Sequence, residues 1–264
     1  AYPIGDRDHV DRILLVYCEG LTDTRQINEF ILPRLHALPG WTKQELESHV
    51  ELIMSPIERQ EDIVNSVLLG RLVLVFNNQQ AIFWMDIAEP PTRMPTDSNL
   101  ENSIKGPRDG FVESLDTNVA LVRKRLRTTS FVYESFTIGT TSNSSVALLY
   151  IKDVIKPEFV EEARSRLDRI NIDLLLSSSQ LEELLSDSPK SLIPLLETTS
   201  RPDFVADCLS RGRLAVVVDG SPTAIIAPAN LTLLLRSPED VYWPFTFVTF
   251  ELFIRYAGLC ISLL

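Results

Sequence analysis

The sequence predicts an α/β protein in which two small α/β subdomains of related topology are joined by a central helix and followed by the start of a membrane segment. Three observations support this fold class. Apolar strand patterns alternate with amphipathic helix patterns, a similar stretch occurs twice, and the only charges in residues 242–264 are Glu251 and Arg255. We expect the subdomains at 1–104 and 128–236, the connecting helix at 105–127 and the juxtamembrane segment at 237–264.

Composition and charge exclude several classes of protein. The chain has 264 residues, 45% of them hydrophobic and 23% charged, which is typical of a folded globular protein and not of a disordered one. The net charge of −11 repels phosphate backbones, so we expect no nucleic-acid partner. The three cysteines and three histidines are isolated from one another, which predicts no disulfide framework, no metal site and no cofactor.

The first subdomain opens with an apolar, β-branched strand at 12–18, RILLVYC. A helix follows, for which Thr22 or Asp23 is a suitable N-cap. Its expected core face consists of apolar residues at helical spacing: Ile27, Phe30, Ile31, Leu35 and Leu38.

A weak internal repeat relates residues 63–76 to residues 205–218. Each copy predicts a helix, a glycine in the left-handed conformation after its end (Gly70 or Gly212), and a strand. Turn signals follow, Asn77-Asn78 in the first copy and Asp219-Gly220 in the second. The partner strands of these hairpins are expected at 81–87 and 223–227.

The second subdomain begins with a strand at 145–151, SVALLYI, and a helix that starts near Pro157. The expected core face of this helix is Phe159, Ala163, Leu167 and Ile170. Ser179 and Glu182 predict a capping box for a further short helix.

A linker rich in Pro, Asn and Ser, residues 89–110, precedes the predicted connecting helix, which runs from Phe111 to Leu126. The helix ends in a basic run at 123–127. That run is compatible with a phosphate or headgroup patch, but favourable charge at a helix C-terminus is the ordinary explanation, and we favour it.

The apolar C-terminal segment allows two interpretations. It is either an amphipathic helix that closes a soluble core or the first part of a membrane segment. Threonines alone interrupt the aromatic residues and Val from Phe245 to Phe250, which favours the membrane. Glu251 and Arg255 lie four residues apart, so on a helix they are able to pair.

No nucleotide-binding, nucleophile-elbow or zinc-protease motif occurs in the chain, and we expect a non-enzymatic protein. Two polar clusters precede predicted helices, at 105–110 and 200–203. The candidate ligand-binding or interdomain residues are Arg108, Asp109, Asn118, Arg201 and Asp203. In one interpretation the arginines bridge domains or hold an anion at a helix N-terminus. In the other, the clusters only start helices, with Pro in the first turn and Asp as a cap. We favour the second interpretation for the two aspartates.

These clusters carry a family resemblance. KGPRDGFVESLDTNVALVRKRL at 105–126 resembles the signature of spore germination receptor A subunits, the GerA family. Residues 179–228 resemble a second hallmark of that family, and SPEDVYWPF at 237–245 resembles the segment before its first membrane helix. The resemblance covers the chain from about Asp11 onward. Departures at Lys190, at Leu192-Ile193 and at Ser200 put the loop's ligand in doubt.

The resemblance implies the soluble N-terminal region of a membrane-bound subunit, on the cytosolic side of the spore inner membrane. It implies B and C subunits as partners, self-association of A subunits, and coupling of nutrient detection to ion release. Two alternatives remain: a germinant binds directly in a cleft between the subdomains, anchored by Arg108 and Arg201, or the chain belongs to a sister branch encoded with dipicolinate-channel proteins of sporulation stage V.

Overall fold

Two five-stranded antiparallel sheets, each with its own helices, make up the described part of the chain. The structure is a computed structural model that describes residues 2–4, 11–36, 54–57, 59–76, 81–89, 107, 109–186 and 195–262. The chain forms two compact units, the first comprising residues 1–91 with 126–129 and the second residues 92–125 with 130–264.

The first unit contains the sheet β1-β2-β4-β5-β3, in which every neighbouring pair is antiparallel. Its strands are β1 (Tyr2–Ile4), β2 (Asp11–Val16), β3 (Met54–Pro56), β4 (Leu72–Phe76) and β5 (Ala81–Met85), and its helices are α1 (Thr24–Gln26), α2 (Leu32–His36) and α3 (Gln60–Leu68). A π-helical turn, Ile27–Ile31, connects α1 to α2.

The first predicted helix is confirmed, with one error in its buried face. Asp23 is the N-cap and accepts hydrogen bonds from the two backbone amides Arg25 N and Gln26 N. Ile27 and Ile31 are buried as expected, but Phe30 is 54% exposed. The π-helical turn adds a residue to the helical repeat, which rotates Phe30 toward solvent. The predictions for Leu38 and for Asn77-Asn78 lie outside the described residues.

The second unit repeats this topology with the sheet β6-β7-β9-β10-β8, again antiparallel throughout. Its strands are β6 (Phe131–Ile138), β7 (Ser144–Ile151), β8 (Glu197–Thr199), β9 (Leu214–Val218) and β10 (Ala224–Ala227). Its helices are α4 (Leu115–Arg125), α5 (Pro157–Arg169), α6 (Ser178–Leu185), α7 (Pro202–Ser210), α8 (Leu231–Leu234) and α9 (Phe245–Ser262), with a 3₁₀ helix at Pro238–Tyr242. The predicted α/β fold with two topologically related parts is therefore confirmed.

Helices cover both faces of the second sheet. Successive residues of a strand point to opposite faces, so Val146 and Leu148 belong to the core beneath α5 and α6. Ala147 and Leu149, buried on the other face, lie on the side covered by α4 and α7.

Three local predictions in the second unit are wrong. The N-cap of α6 is Ser177 and not Ser179, because the chain is already helical from Ser178. In α5, Val160 is buried where Phe159 was expected. The central helix begins at Leu115 and not at Phe111, because the backbone of Val112 hydrogen-bonds to a side chain of α4 instead of continuing the helix.

The glycines of the internal repeat have the predicted left-handed conformation. Gly70 has φ +85° after α3, and Gly212 has φ +81° after α7. A side chain at Gly70 would place Cβ 2.4 Å from the carbonyl oxygen of Leu21, so only glycine fits there. The second predicted turn, Asp219-Gly220, joins the antiparallel strands β9 and β10.

The apolar C-terminal segment forms α9, in which no described side chain is buried. It does not close a core, so that interpretation is wrong. Its 18 residues have a mean hydropathy of 1.4, which makes α9 long and apolar enough to cross a membrane by length and composition. The predicted Glu251–Arg255 ion pair is present.

Candidate functional site

Asn118 and Asp109 fix the segment before α4 onto that helix. Asn118 is completely buried; its Nδ2 donates to the carbonyl oxygen of Val112 at 2.6 Å, and its Oδ1 accepts from the backbone amide of Val112 at 2.8 Å. Asp109 accepts a hydrogen bond from Arg125 Nη2 at 2.5 Å. The hydrogen-bonding groups of Asn118 are thus used to shape the chain.

Arg201 and Asp203 form a buried ion pair at the start of α7. Arg201 Nε donates to Asp203 Oδ1 at 3.1 Å and Arg201 Nη2 donates to Oδ2 at 2.7 Å, and each side chain is only 6% exposed. Pro202 occupies the first turn of the helix, as the sequence predicts. Asp203 therefore pairs with Arg201 in addition to standing in the first turn, and the two-point geometry holds the guanidinium in a fixed plane.

A tyrosine from outside both motifs completes this cluster. Tyr242 donates its hydroxyl proton to Asp203 Oδ2 at 2.9 Å, across 39 residues of sequence. Burial and the hydrogen bond to Asp203 raise the pKa of Tyr242 to about 12. The phenol therefore stays neutral and remains a hydrogen-bond donor throughout the physiological pH range.

The structure brings the described candidate residues together. The backbone amide of Phe111 donates to the carbonyl oxygen of Ser200 at 2.8 Å, which joins the Asp109–Asn118 stretch to the Arg201–Asp203 turn. Arg108 lies outside the described residues. Whether any of these side chains binds a ligand or another domain stays a prediction.

The cluster is linked to α9 by contacts that we call the helix anchor, consisting of Tyr242, Asp240 and Arg255. Arg255 Nη1 donates to the carbonyl oxygen of Leu235 at 2.8 Å and to Asp240 Oδ2 at 3.3 Å. Asp240 also closes a capping box with Ser237 at the start of the 3₁₀ helix. Arg255, halfway along the apolar helix, is thus bound to the folded unit through a nearly buried carboxylate.

Sequence reasoning missed Tyr242, Asp240 and Arg125 as members of this network. The Ser-x-x-Asp pattern at 237–240 is a capping-box signature and could have identified Asp240. Nothing local marks Tyr242 as a partner of Asp203. Arg125 was assigned to solvated helix-end charge, whereas it donates to both Asp109 and the carbonyl oxygen of Leu121.

The described residues offer little for catalysis or metal binding. Among them, no three His, Cys, Asp or Glu side chains are grouped so that they could hold a metal ion. Cys208 is fully buried, and burial raises the pKa of its thiol to about 12, so it is not an activated nucleophile.

Comparisons with known proteins give a consistent picture. The family model described as Bacillus/Clostridium GerA spore germination protein matches residues 4–264. The chain is 38% identical over 258 residues to spore germination protein XA of Bacillus anthracis, covering 95% of the chain and 52% of that protein. It is 30% identical over 270 residues to spore germination protein KA of Bacillus subtilis, covering 98% of the chain and 49% of that protein. The chain therefore spans about half the length of these curated relatives.

A solved structure is also similar to the chain. The crystal structure of the N-terminal domain of the A subunit of the Bacillus megaterium spore germinant receptor GerK3 aligns with a TM-score of 0.64 at 29% sequence identity. The alignment covers 87% of each chain. The likeness thus extends over nearly the whole fold.

Proposed function

The chain belongs to the GerA family of Bacillus/Clostridium spore germination proteins, and from this we propose that it is the N-terminal domain of a germinant receptor A subunit that couples nutrient detection to the membrane part of the receptor. In this proposal the domain passes on the signal through packing and subunit contacts. It is not itself a catalyst.

The helix anchor is the observation that carries the coupling proposal. Tyr242 ties the chain before α9 to the buried Arg201–Asp203 pair, and Arg255 ties α9 itself to Asp240. A displacement of the α7 N-terminus must therefore either move α9 or break a hydrogen bond to a carboxylate, which is worth about 1.5–3 kcal/mol. A link of this strength is enough to bias two conformations of a receptor.

The location and the partners follow from the same assignment. We place α9 at the spore inner membrane, with its C-terminal end directed into the bilayer and the two α/β units on the cytosolic side, and with B and C subunits and further A subunits as partners. The apolar, unburied character of α9 supports the membrane attachment. The response to nutrients, in this proposal, ends in ion release through the assembled receptor.

The full-length subunit in its native spore-former tests the coupling proposal. Tyr242→Phe removes the hydroxyl that binds Asp203 and leaves the ring in place. We expect normal subunit levels on immunoblots of spore membranes but slower nutrient-triggered cation and dipicolinate release. Tyr133→Phe is the matched control, since Tyr133 and Tyr242 are both 38% exposed, and it should germinate at the normal rate. Equal rates for both variants would refute coupling through the anchor.

Deletion of the gene tests the assignment to a nutrient receptor. Spores with normal dipicolinate content that no longer respond to a nutrient would support it. Spores that lack dipicolinate would instead support the sister sporulation branch, and spores normal in both respects would overturn the assignment.

A further inference from the structure

The antiparallel order of the second sheet brings four strand termini to one edge. Because β6, β7, β9 and β10 alternate in direction, the ends of β7 and β10 share this edge with the starts of β6 and β9. The loops there are 152–156 before α5, 211–213 before β9, and the stretch after β10 that contains α8.

Five cations lie at this edge with three carboxylates, Asp153, Glu158 and Asp207, so its net charge is positive although the protein as a whole has a charge of −11. We call it the basic edge and define it by Lys152, Lys156, Arg211, Arg213 and Arg236. A Cβ at Gly212 would lie 3.0 Å from the carbonyl oxygen of Val154, so the loop that carries Arg211 and Arg213 packs against the loop that carries Lys152 and Lys156. Arg211, Arg213 and Arg236, together with Asp207, are also near enough to Cys208 to act on its thiol.

Most of these cations are not neutralised within the described part of the chain. Asp207 pairs with Arg211 at 2.8 Å, but no described carboxylate forms an ion pair with Lys152, Lys156, Arg213 or Arg236. Nε of Arg213 is buried and has no hydrogen-bond acceptor among the described residues.

The apolar helix α9 leaves the second unit past the basic edge. Its approach begins near Asp203 at the opposite end of α7, where Tyr242 is bound. At the edge, Arg255 donates to the carbonyl oxygen of Leu235, next to Arg236. Tyr256 donates to Thr232 Oγ1 of α8 at 3.4 Å, so the remaining residues of α9 extend beyond the edge.

We propose that the basic edge lies against an anionic lipid surface, with Lys152, Lys156, Arg213 and Arg236 contacting headgroup phosphates. The proposal rests on the membrane attachment proposed above and adds which face of the domain meets the bilayer. Cations beside a membrane segment are attracted to anionic lipid, each by about 1 kcal/mol or roughly fivefold in partitioning. Arg255 and Tyr256 mark the level of the headgroups, so the part of α9 before them lies outside the hydrocarbon core.

Vesicle cosedimentation of the 264-residue chain tests this contact. The readout is the ratio of the affinity for vesicles with 30% phosphatidylglycerol to that for pure phosphatidylcholine, because apolar binding by α9 contributes to both. We expect a ratio of at least about tenfold at 0.1 M salt, collapsing at 0.5 M salt because screening weakens the attraction. Arg236→Glu removes one contact and should lower the ratio by at least about fivefold, and Lys152→Glu with Lys156→Glu removes two contacts and should lower it further.

Arg169→Glu is the matched control. Arg169 is exposed at the end of α5, which lies at the opposite edge of the same sheet, so the same charge reversal there should leave the ratio unchanged. A ratio near one for the unmodified chain, or equal losses for Arg169→Glu and Arg236→Glu, would overturn the proposal. Competition by millimolar inorganic phosphate would do so as well, since it would indicate a site for a free anion. If the charge reversals leave the ratio unchanged while deletion of the gene abolishes the nutrient response of spores, the lipid contact is rejected and the receptor function is retained.

Discussion

Replacing Arg201 by alanine should destabilise the second unit strongly, because it leaves the carboxylate of Asp203 buried without its cation. Removal of one partner from a buried ion pair costs about 3–5 kcal/mol, and both side chains here are 6% exposed. The hydroxyl of Tyr242 still donates to Asp203 in the variant, so we expect the lower end of that range, about 3 kcal/mol. For a chain of this size each kcal/mol shifts Tm by about 2–4 °C, giving a fall of about 6–12 °C.

A surface pair provides the control for this prediction. Arg211 also makes a bidentate contact with Asp207, in which Nε donates to Oδ2 at 2.8 Å and Nη2 donates to Oδ1 at 2.9 Å. The side chain of Arg211 is 45% exposed, however, and that of Asp207 is 20% exposed. Arg211→Ala should therefore cost less than about 1 kcal/mol. Urea unfolding followed by circular dichroism measures both. Equal losses would refute the argument that burial decides the value of the Arg201–Asp203 pair.

The double replacement Arg201→Met with Asp203→Leu separates breaking a charge pair from removing it. Two apolar side chains of similar size leave no unpaired charge, so the double variant should be at least about 2 kcal/mol more stable than Arg201→Ala. A double variant as unstable as the single one would show that the unpaired charge of Asp203 is not what destabilises Arg201→Ala.

Three further predictions concern backbone conformation, ionisation and thiol reactivity. In urea unfolding, Gly70→Ala should destabilise the protein far more than Gly220→Ala. Both glycines have positive φ, but a Cβ at Gly70 meets a backbone carbonyl, whereas nothing lies within 4 Å of a Cβ at Gly220. Gly220→Ala should therefore cost only about 1–2 kcal/mol. The folded-state pKa of Tyr242 is about 12, above the ordinary 10.0. The stability that the neutral phenol adds is therefore complete below pH 10 and is lost as the pH rises toward 12. A titration of phenolate absorbance should show one tyrosine ionising near pH 12, and Tyr242→Phe should remove that step. At pH 8 a thiol reagent should label the exposed Cys260 rapidly and the buried Cys208 only on unfolding, because burial raises the pKa of Cys208 to about 12. Equally fast labelling of the two thiols in the native protein would contradict the burial of Cys208.

The parts of the fold that depend on local sequence could be predicted. The strands at 12–18 and 145–151 and the glycine-ended helices are encoded by short-range patterns, and the structure has β2, β7, Gly70 and Gly212 in those roles. The edge strands β3 and β8, three residues each, have no such pattern. Their pairing with β5 and β10 is a property of the completed sheet, so periodicity could not identify them.

The candidate site was predictable in its residues but not in its contacts. Arg201 was a candidate because a cation at a helix start opposes the helix dipole and needs a partner, whereas Asp203 was expected mainly to complement the dipole. That the partner is Asp203 itself, two residues away, follows from the extended backbone of Arg201 before the helix. The Tyr242–Asp203 hydrogen bond spans 39 residues and depends on the path of the chain after α8, which no local pattern determines.

Each sheet is built from strands of one continuous part of the chain, and this has a consequence for biosynthesis. Every described strand of the first sheet comes from residues 2–85, and every described strand of the second from residues 131–227. No strand of the first sheet has to wait for a partner from the second half of the chain. At ribosomal rates of about 5–20 residues per second, translation of the second half of these 264 residues takes about 7–26 s, so the first sheet has time to form before the long apolar helix α9 leaves the ribosome.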